Sequence, residues 1–205
     1  MADLPIVLDS PLADQLAHAL DVEGKIPRAL EALGPLAGRD VLAIDDAAGL
    51  RVRQLGELGA RIRAIPSLAD AAGLPDESVD AIVSWWTSFK GVDTAELGEV
   101  DRLLRPDGRL LVVHDYGRDD VSRLRGERPE YGAWSRRDGP FLGGGFRIRV
   151  IHCWWTFGSL EDARSFLEAA FGPPGRELAD ALKRPRLSYN VAIYHRTRGG
   201  GPADG

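Results

Sequence analysis

The segment from Asp40 to Gly49 constrains the fold more than any other part of the chain. It begins with a short apolar run, which ends in the acidic pair Asp45-Asp46 followed by small residues. A helix-compatible segment comes next. This order is typical of a buried parallel strand whose carboxyl end faces a helix N-terminus, the place where open α/β sheets bind ligands.

Further strands and helices alternate with this first strand. Apolar and alternating runs predict strands over residues 61–65, 79–85, 109–115, 146–157 and 187–195. Helical spacing of apolar residues predicts two helices before the first strand, and others over residues 50–58, 92–104 and 160–171. The pattern predicts a three-layer α/β fold with a mostly parallel sheet. We expect one domain over residues 1–205, with a helical cap over residues 1–38 and a disordered tail over residues 197–205.

The composition narrows the possible functions. The 205-residue chain has a net charge of −5, which argues against nucleic acid as a partner because phosphate binding requires a basic surface. No apolar run approaches the roughly 18 residues that a membrane-spanning helix needs, so no membrane is expected. Cys153 is the single cysteine, which rules out an internal disulfide and fits a cytoplasmic location.

Three segments together resemble the class I S-adenosylmethionine-dependent methyltransferases. They run from Gly38 to Leu42, from Ala69 to Ser84 and from Glu99 to Val113. The last, which reads as a helix, a turn and a strand, is the most specific. The resemblance implies a Rossmann-like methyltransferase fold whose mostly parallel sheet has an antiparallel edge strand. It also implies S-adenosylmethionine as the cofactor and a small molecule as the methyl acceptor.

Two departures from the family pattern affect the cofactor site. The glycines of the family's first strand–helix turn fall on Asp45, Ala47 and Gly49, so one glycine remains. Only a few residues separate Pro66 from Asp70, where the family places a helix and a further strand. A helix of three turns alone needs more than about ten residues, so we expect one strand–helix unit to be missing.

The resemblance assigns cofactor contacts to seven residues at the strand ends, namely Asp45, Ala47, Gly49, Asp70, Ala71, Leu74 and Ser84. Asp70 would accept a hydrogen bond from the adenine amino group, and Leu74 would lie on the adenine face. Asp45 and Asp46 could hold the ligand ammonium. They could equally complement the dipole of the helix that follows.

The catalytic candidates follow another predicted strand. His114, Asp115 and Tyr116 lie where a methyl acceptor would approach in the resembling fold. The histidine or the aspartate could act as a general base and the tyrosine could orient the acceptor. The alternative is a polar strand end that bonds to the next loop. Asp119 and the residue after it are expected to begin a helix, and no metal site is predicted.

The tryptophans offer candidate walls for an apolar or planar acceptor. We expect Trp86 and Trp134 in this role, with packing in the core as the alternative. Neighbouring residues on a strand point to opposite faces, so one of Trp85 and Trp86 is expected in the core and the other in the crevice.

Three functions remain open from the sequence. The first is a methyltransferase that acts on a small molecule. The second is an inactive methyltransferase-like protein that has lost the cofactor and serves as a binding or assembly partner. Such a protein could form a homodimer. The third, a nicotinamide-dependent dehydrogenase, is disfavoured because no G-x-G-x-x-G follows the first strand.

Overall fold

The computed structural model describes residues 4–45, 49–86, 88–91, 93–128 and 130–200. Its strands are β1 (Asp40–Ile44), β2 (Arg61–Ile65), β3 (Val79–Trp85), β4 (Leu104–Asp115), β5 (Arg147–Thr156) and β6 (Arg186–Thr197). Its α-helices are α1 (Ser10–Ala19), α2 (Lys25–Leu33), α3 (Leu50–Glu57), α4 (Thr94–Leu103), α5 (Asp120–Arg125), α6 (Leu160–Phe171) and α7 (Pro173–Ala181). Two short 3₁₀ helices are η1 (Leu68–Ala71) and η2 (Leu142–Gly144).

The strands form one sheet in the order β2-β1-β3-β4-β6-β5. The first four strands of this order are parallel, and β6 runs antiparallel to both β4 and β5. The predicted α/β architecture, with a mostly parallel sheet and antiparallel pairing at one edge, is therefore confirmed. The strand that runs antiparallel to its neighbours is β6. It is the second strand from that edge, because β5 pairs along its outer side.

The shortened segment after β2 is also confirmed. Residues 66–78 contain η1 and no strand, and within the described residues β2 pairs only with β1. The sheet therefore ends at β2, without the additional strand of the family pattern.

Each face of the sheet carries its own apolar core. On face 1, residues such as Val83 and Ile193 pack against α1, α2, α3, α6 and α7. On face 2, residues such as Ile82 and Val112 pack against α4, η1 and the segment that leads into β5. The central strand β3 is apolar toward both faces, as parallel strands covered by helices must be.

The carboxyl end of the chain is ordered further than predicted. Thr197 lies opposite Arg109 in β6, and the Arg198 N–H donates to the Gly108 carbonyl at 2.9 Å. Arg198 also forms an ion pair with Glu77. These contacts place residues 197–200 against the sheet, and residues 201–205 lie outside the described range. None of the described helices is both long and apolar enough to cross a bilayer.

Candidate functional site

A cavity of about 800 Å³ lies on face 2 at the carboxyl end of the parallel strands. One wall follows β2 and consists of Ser67, Leu68 and Ala69. The facing wall follows β3 and continues into α4, and its residues are Ser88, Phe89, Lys90, Gly91, Asp93, Glu96 and Glu99, with Pro140 at the rim. Its volume falls within the range of about 300–1,000 Å³ that small-molecule sites occupy.

Three carboxylates line the α4 side of this cavity, and two of them are already bonded. Asp93 caps α4 by accepting from the Ala95 and Glu96 N–H groups at 2.8 and 3.0 Å. Glu99 pairs with Arg102, which lowers the pKa of this glutamate. Within the described residues, the Glu96 carboxylate has no bonding partner, and partial burial followed by the charge of Asp93 raises its pKa. Glu96 is therefore the acid that can accept hydrogen bonds from a ligand.

Asp70 does not line the cavity. Its carboxylate caps η1, where it accepts from the Ser67 N–H at 3.1 Å and from the Ser67 hydroxyl at 2.7 Å. The backbone of Ser67 and the residues after it form the cavity wall instead. Ala71 and Leu74 are buried in the face 2 core, so their side chains also lie away from the cavity.

In the turn after β1, the structure describes the first and last residues, Asp45 and Gly49. Asp45 is buried, and its N–H donates to the Ile65 carbonyl at 3.0 Å, which extends the β1–β2 ladder. Gly49 is the N-cap of α3 and supplies no side-chain cap, so the first turn of α3 presents its N–H groups at the end of β1. Ala47 lies outside the described residues, together with Asp46 and Ala48. Ser84, near the end of β3, is fully buried on face 2.

The three catalytic candidates do not converge. His114 points to face 2, where its Nε2–H donates to the Phe89 carbonyl at 2.7 Å and its ring meets Trp134 edge-on at 4.8 Å. Asp115 points to face 1, as strand alternation requires. Tyr116 packs against the face 2 core. His114 and Tyr116 therefore share face 2, whereas Asp115 lies on the opposite face of the sheet.

His114 is held in its neutral form. Burial lowers the pKa of His114 to about 4, and the Phe89 carbonyl opposes this shift only in part. Because a carbonyl can only accept, the Nε2 atom carries the proton and the lone pair lies on Nδ1.

Asp115 belongs to a buried polar network on face 1. Its carboxylate accepts from the Tyr189 hydroxyl and pairs with Arg125. The Tyr189 hydroxyl in turn accepts from the Trp86 Nε1–H at 3.0 Å. Arg125 also donates to the Pro5 carbonyl at 2.7 Å, which attaches the start of the described chain to the end of β4. Burial raises the pKa of Asp115, and the charge of Arg125 acts against this shift.

Trp86 and Trp134 lie on opposite faces of the sheet, so they do not form one pocket. The expected division between Trp85 and Trp86 is wrong, because both lie in the face 1 core. Trp86 follows the last residue of β3 and has a φ of 40°, which ends the alternation of the strand. Its ring lies 5.7 Å from the guanidinium of the buried Arg51.

Sequence comparisons find no match, whereas structural comparisons find chains of similar fold. No protein-family model and no curated protein matches the chain. A structure from Anaeromyxobacter dehalogenans, proposed to be a type II methyltransferase, is similar over 83% of this chain and 95% of that one, at 16% identity and a TM-score of 0.54. An S-adenosylmethionine-dependent methyltransferase from Aquifex aeolicus covers 93% of this chain and 98% of its own, at 16% identity and a TM-score of 0.50. The MccD protein gives 11% identity and a TM-score of 0.51 over 87% of this chain and 99% of its own.

The chain has the class I methyltransferase fold. The cavity adjoins the end of β2, but Asp70 and Leu74, to which the resemblance assigned the adenine, do not line it. Its described walls offer apolar surface from Leu68 and Phe89 and an acceptor from Glu96. They fit an adenosyl group in these respects, although the two residues directly after β2, Pro66 and Ser67, include no acid.

Sequence reasoning missed several residues at the site. Asp93 and Glu96 stand three positions apart, the spacing of an N-cap and the third helical residue, and this signal could have placed Glu96 at the carboxyl end of the sheet. Tyr189 and Arg125 gave no local signal, because they meet Asp115 only through tertiary packing. Among the described residues, no group of three or more histidines, cysteines and acids is arranged to hold a metal ion.

Proposed function

We propose that the protein is an S-adenosylmethionine-dependent methyltransferase that acts on a small-molecule acceptor. The observation that carries this proposal is the cavity of about 800 Å³ at the carboxyl end of β2 and β3, in a chain with the methyltransferase fold. Open α/β sheets bind their ligands at this end of the strands.

Each part of the ligand has candidate partners in this proposal. Leu68 and Phe89 would contact the adenine, and the Glu96 carboxylate would accept from the ribose hydroxyls. The first turn of α3, which begins after Gly49, would face the methionine end together with Asp45. The bound cofactor supplies an activated methyl group. The protein's contribution is to hold donor and acceptor in line, which can provide much of the rate enhancement without a general base.

Calorimetric titration with S-adenosylmethionine and S-adenosylhomocysteine tests the proposal. We expect micromolar binding of both. Glu96→Gln should weaken binding by about 1–3 kcal/mol, because it removes a charged hydrogen-bond acceptor. The matched control is Glu99→Gln on the same helix, whose carboxylate is already paired with Arg102. Absence of heat and of a thermal shift at millimolar ligand would rule out the cofactor, and equal effects of the two variants would refute the role of Glu96.

A second candidate function is an inactive methyltransferase-like protein that has lost cofactor binding and serves as a binding or assembly partner. The observation that favours it is that the polar strand-end groups are engaged in structural bonds. Asp115 pairs with Arg125 and Tyr189, and His114 is neutral and bonded to Phe89. In this case the protein should bind neither ligand, and light scattering should detect a homodimer or a stable complex with another protein.

A further inference from the structure

Half of the edge strand β5 is open along its outer side. At its carboxyl end, the Asp21 N–H donates to the Trp154 carbonyl at 3.0 Å and the Lys25 ammonium donates to the His152 carbonyl at 3.1 Å. Outward-pointing backbone groups recur at every second residue of a strand. Ile148 and Val150 therefore also present their N–H and C=O groups outward, and within the described residues these groups have no partner.

The side chains of this open half differ between its two faces. Arg147 and Arg149 are exposed on face 1, and no ion pair or hydrogen bond engages either of them in the part of the chain that the structure describes. Ile148 and Val150 lie half-buried on face 2. The open half of β5 thus combines unpaired backbone with a cationic row and an apolar row.

Two further basic groups lie beside the arginines on face 1. His195 stands directly across from Arg147 in the β5–β6 ladder, and Arg109 lies on the neighbouring strand β4. The pKa of His195 is lowered by burial first and then by Arg109, Arg147 and Arg149, so all three arginines are close to it. No acid contributes to this shift.

The opposite edge of the sheet lacks this combination. Arg61 and Arg63 also alternate along β2, but Arg61 pairs with Asp40 at 2.7 Å and donates to the Gly38 carbonyl. Arg61 thus has an acid beside it, whereas neither arginine of β5 forms an ion pair within the described residues.

We propose that residues 147–151 bind an acidic, extended segment of a partner protein, which adds to the sheet as an antiparallel strand. Main-chain hydrogen bonds give affinity in this mode of recognition, and alternate side chains give specificity. Acids at every second position would repeat at about 6.6–6.8 Å along the strand, the spacing of Arg147 and Arg149. The intervening apolar residues would lie beside Ile148 and Val150.

Other occupants fit this edge less well. A second copy of the chain would bring four arginines into one contact, and edge arginines normally prevent such self-pairing. A nucleic acid would meet only three arginines on a chain whose net charge is −5, and it would leave the backbone groups of β5 unpaired. The proposal does not depend on cofactor binding.

Fluorescence anisotropy with a labelled peptide of seven alternating glutamates and valines, titrated with the full chain, tests the proposal. We expect saturable binding that weakens at high salt. The double variant Arg147→Glu, Arg149→Glu should bind at least about tenfold more weakly, and the milder Arg149→Gln should show a smaller loss. Arg63→Glu, an exposed charge reversal on the opposite edge, should leave the affinity unchanged. Circular dichroism checks that each variant is folded.

Two N-methylated peptides test whether the segment adds as a strand. In an antiparallel addition the valine N–H groups face β5 and the glutamate N–H groups face away. Methylation of the valine nitrogens should abolish binding, whereas methylation of the glutamate nitrogens should preserve it. Equal binding of both peptides would overturn strand addition. Tighter binding of a 12-nucleotide single-stranded DNA than of the peptide, or absence of peptide binding, would overturn the choice of an acidic protein segment.

Discussion

The buried histidine at the end of β4 makes the stability of the protein depend on pH. Burial lowers the pKa of His114 to about 4, whereas a histidine in the unfolded chain titrates near 6.5. As pH falls, the unfolded state binds a proton at this histidine before the folded state does. The stabilisation from neutral His114 is therefore complete above pH 6.5 and falls by roughly 3 kcal/mol as the pH approaches 4. Urea unfolding at pH 7, 5.5 and 4 measures it. His114→Gln, which stays neutral, should show a smaller loss, and identical pH profiles would contradict this account.

The paired arginine on face 1, Arg125, is expected to contribute strongly to the stability of the protein. Arg125→Met leaves the buried Asp115 carboxylate without its cation, and breaking such a pair costs about 3–5 kcal/mol. Arg123→Met is the matched control, because Arg123 lies on the same helix with its side chain 76% exposed and pairs with Asp120 at the surface. Its loss should cost less than about 1 kcal/mol. Chemical unfolding measures the free energy of unfolding of both variants. Similar losses of stability would show that the buried ion pair contributes no more than the surface pair.

Residue types at the strand ends were predictable, but their partners were not. The sequence indicated that Asp115 and Trp86 lie at the carboxyl end of the sheet. It could not indicate that both bond to Tyr189, which is more than seventy positions further along the chain. The positive φ of Trp86 also carries no sequence signal, since a tryptophan rarely adopts it. Which side chains form hydrogen bonds with each other at this site depends on tertiary packing.

Most elements with local start and stop signals were predicted to within a residue or two, although β4 begins at Leu104, five residues before the predicted start. Strands β2 and β3 have the predicted bounds, and α6 begins after the Ser159 cap as expected. Helix α7 was missed, because Gly172 followed by Pro173 reads as a helix end. In the structure the same residues also begin α7, since Gly172 turns the chain with a φ of 64° and proline is favourable in a first helical turn.

Two helical glycines should respond in opposite ways to the same substitution. Gly98 lies in the exposed interior of α4, and a Cβ there would meet nothing within 4 Å. Gly98→Ala should stabilise the protein by about 0.5–1 kcal/mol, the helix propensity difference. Gly175 in α7 packs so closely on α6 that a Cβ would lie 2.0 Å from the Leu167 carbonyl oxygen. Gly175→Ala should therefore lower the melting temperature, and a shared direction of change would contradict this account of the α6–α7 contact.

At the scale of the molecule, the sheet was more predictable than the site. Apolar runs and their spacing were sufficient to predict the order of strands along the chain. The missing unit between Pro66 and Asp70 was also predictable, because this segment is too short to contain a helix and a strand. The cavity was not predictable in the same way. Its walls come from η1, α4 and the loop after β3, and which side chains face it depends on caps such as Asp70 and Asp93.

The two N-terminal helices pack onto the sheet as part of its core. Leu16, Leu20, Ile26 and Leu30 are each at most 2% exposed and share the face 1 core with the strands. Burial of four such side chains contributes roughly 6–12 kcal/mol, which is comparable to the whole stability of a typical domain, about 5–15 kcal/mol. Deletion of residues 1–33 should therefore abolish cooperative thermal unfolding measured by circular dichroism, whereas deletion of residues 201–205 should leave it unchanged. A truncated chain that still unfolds cooperatively near the original temperature would show that the sheet is stable without these helices.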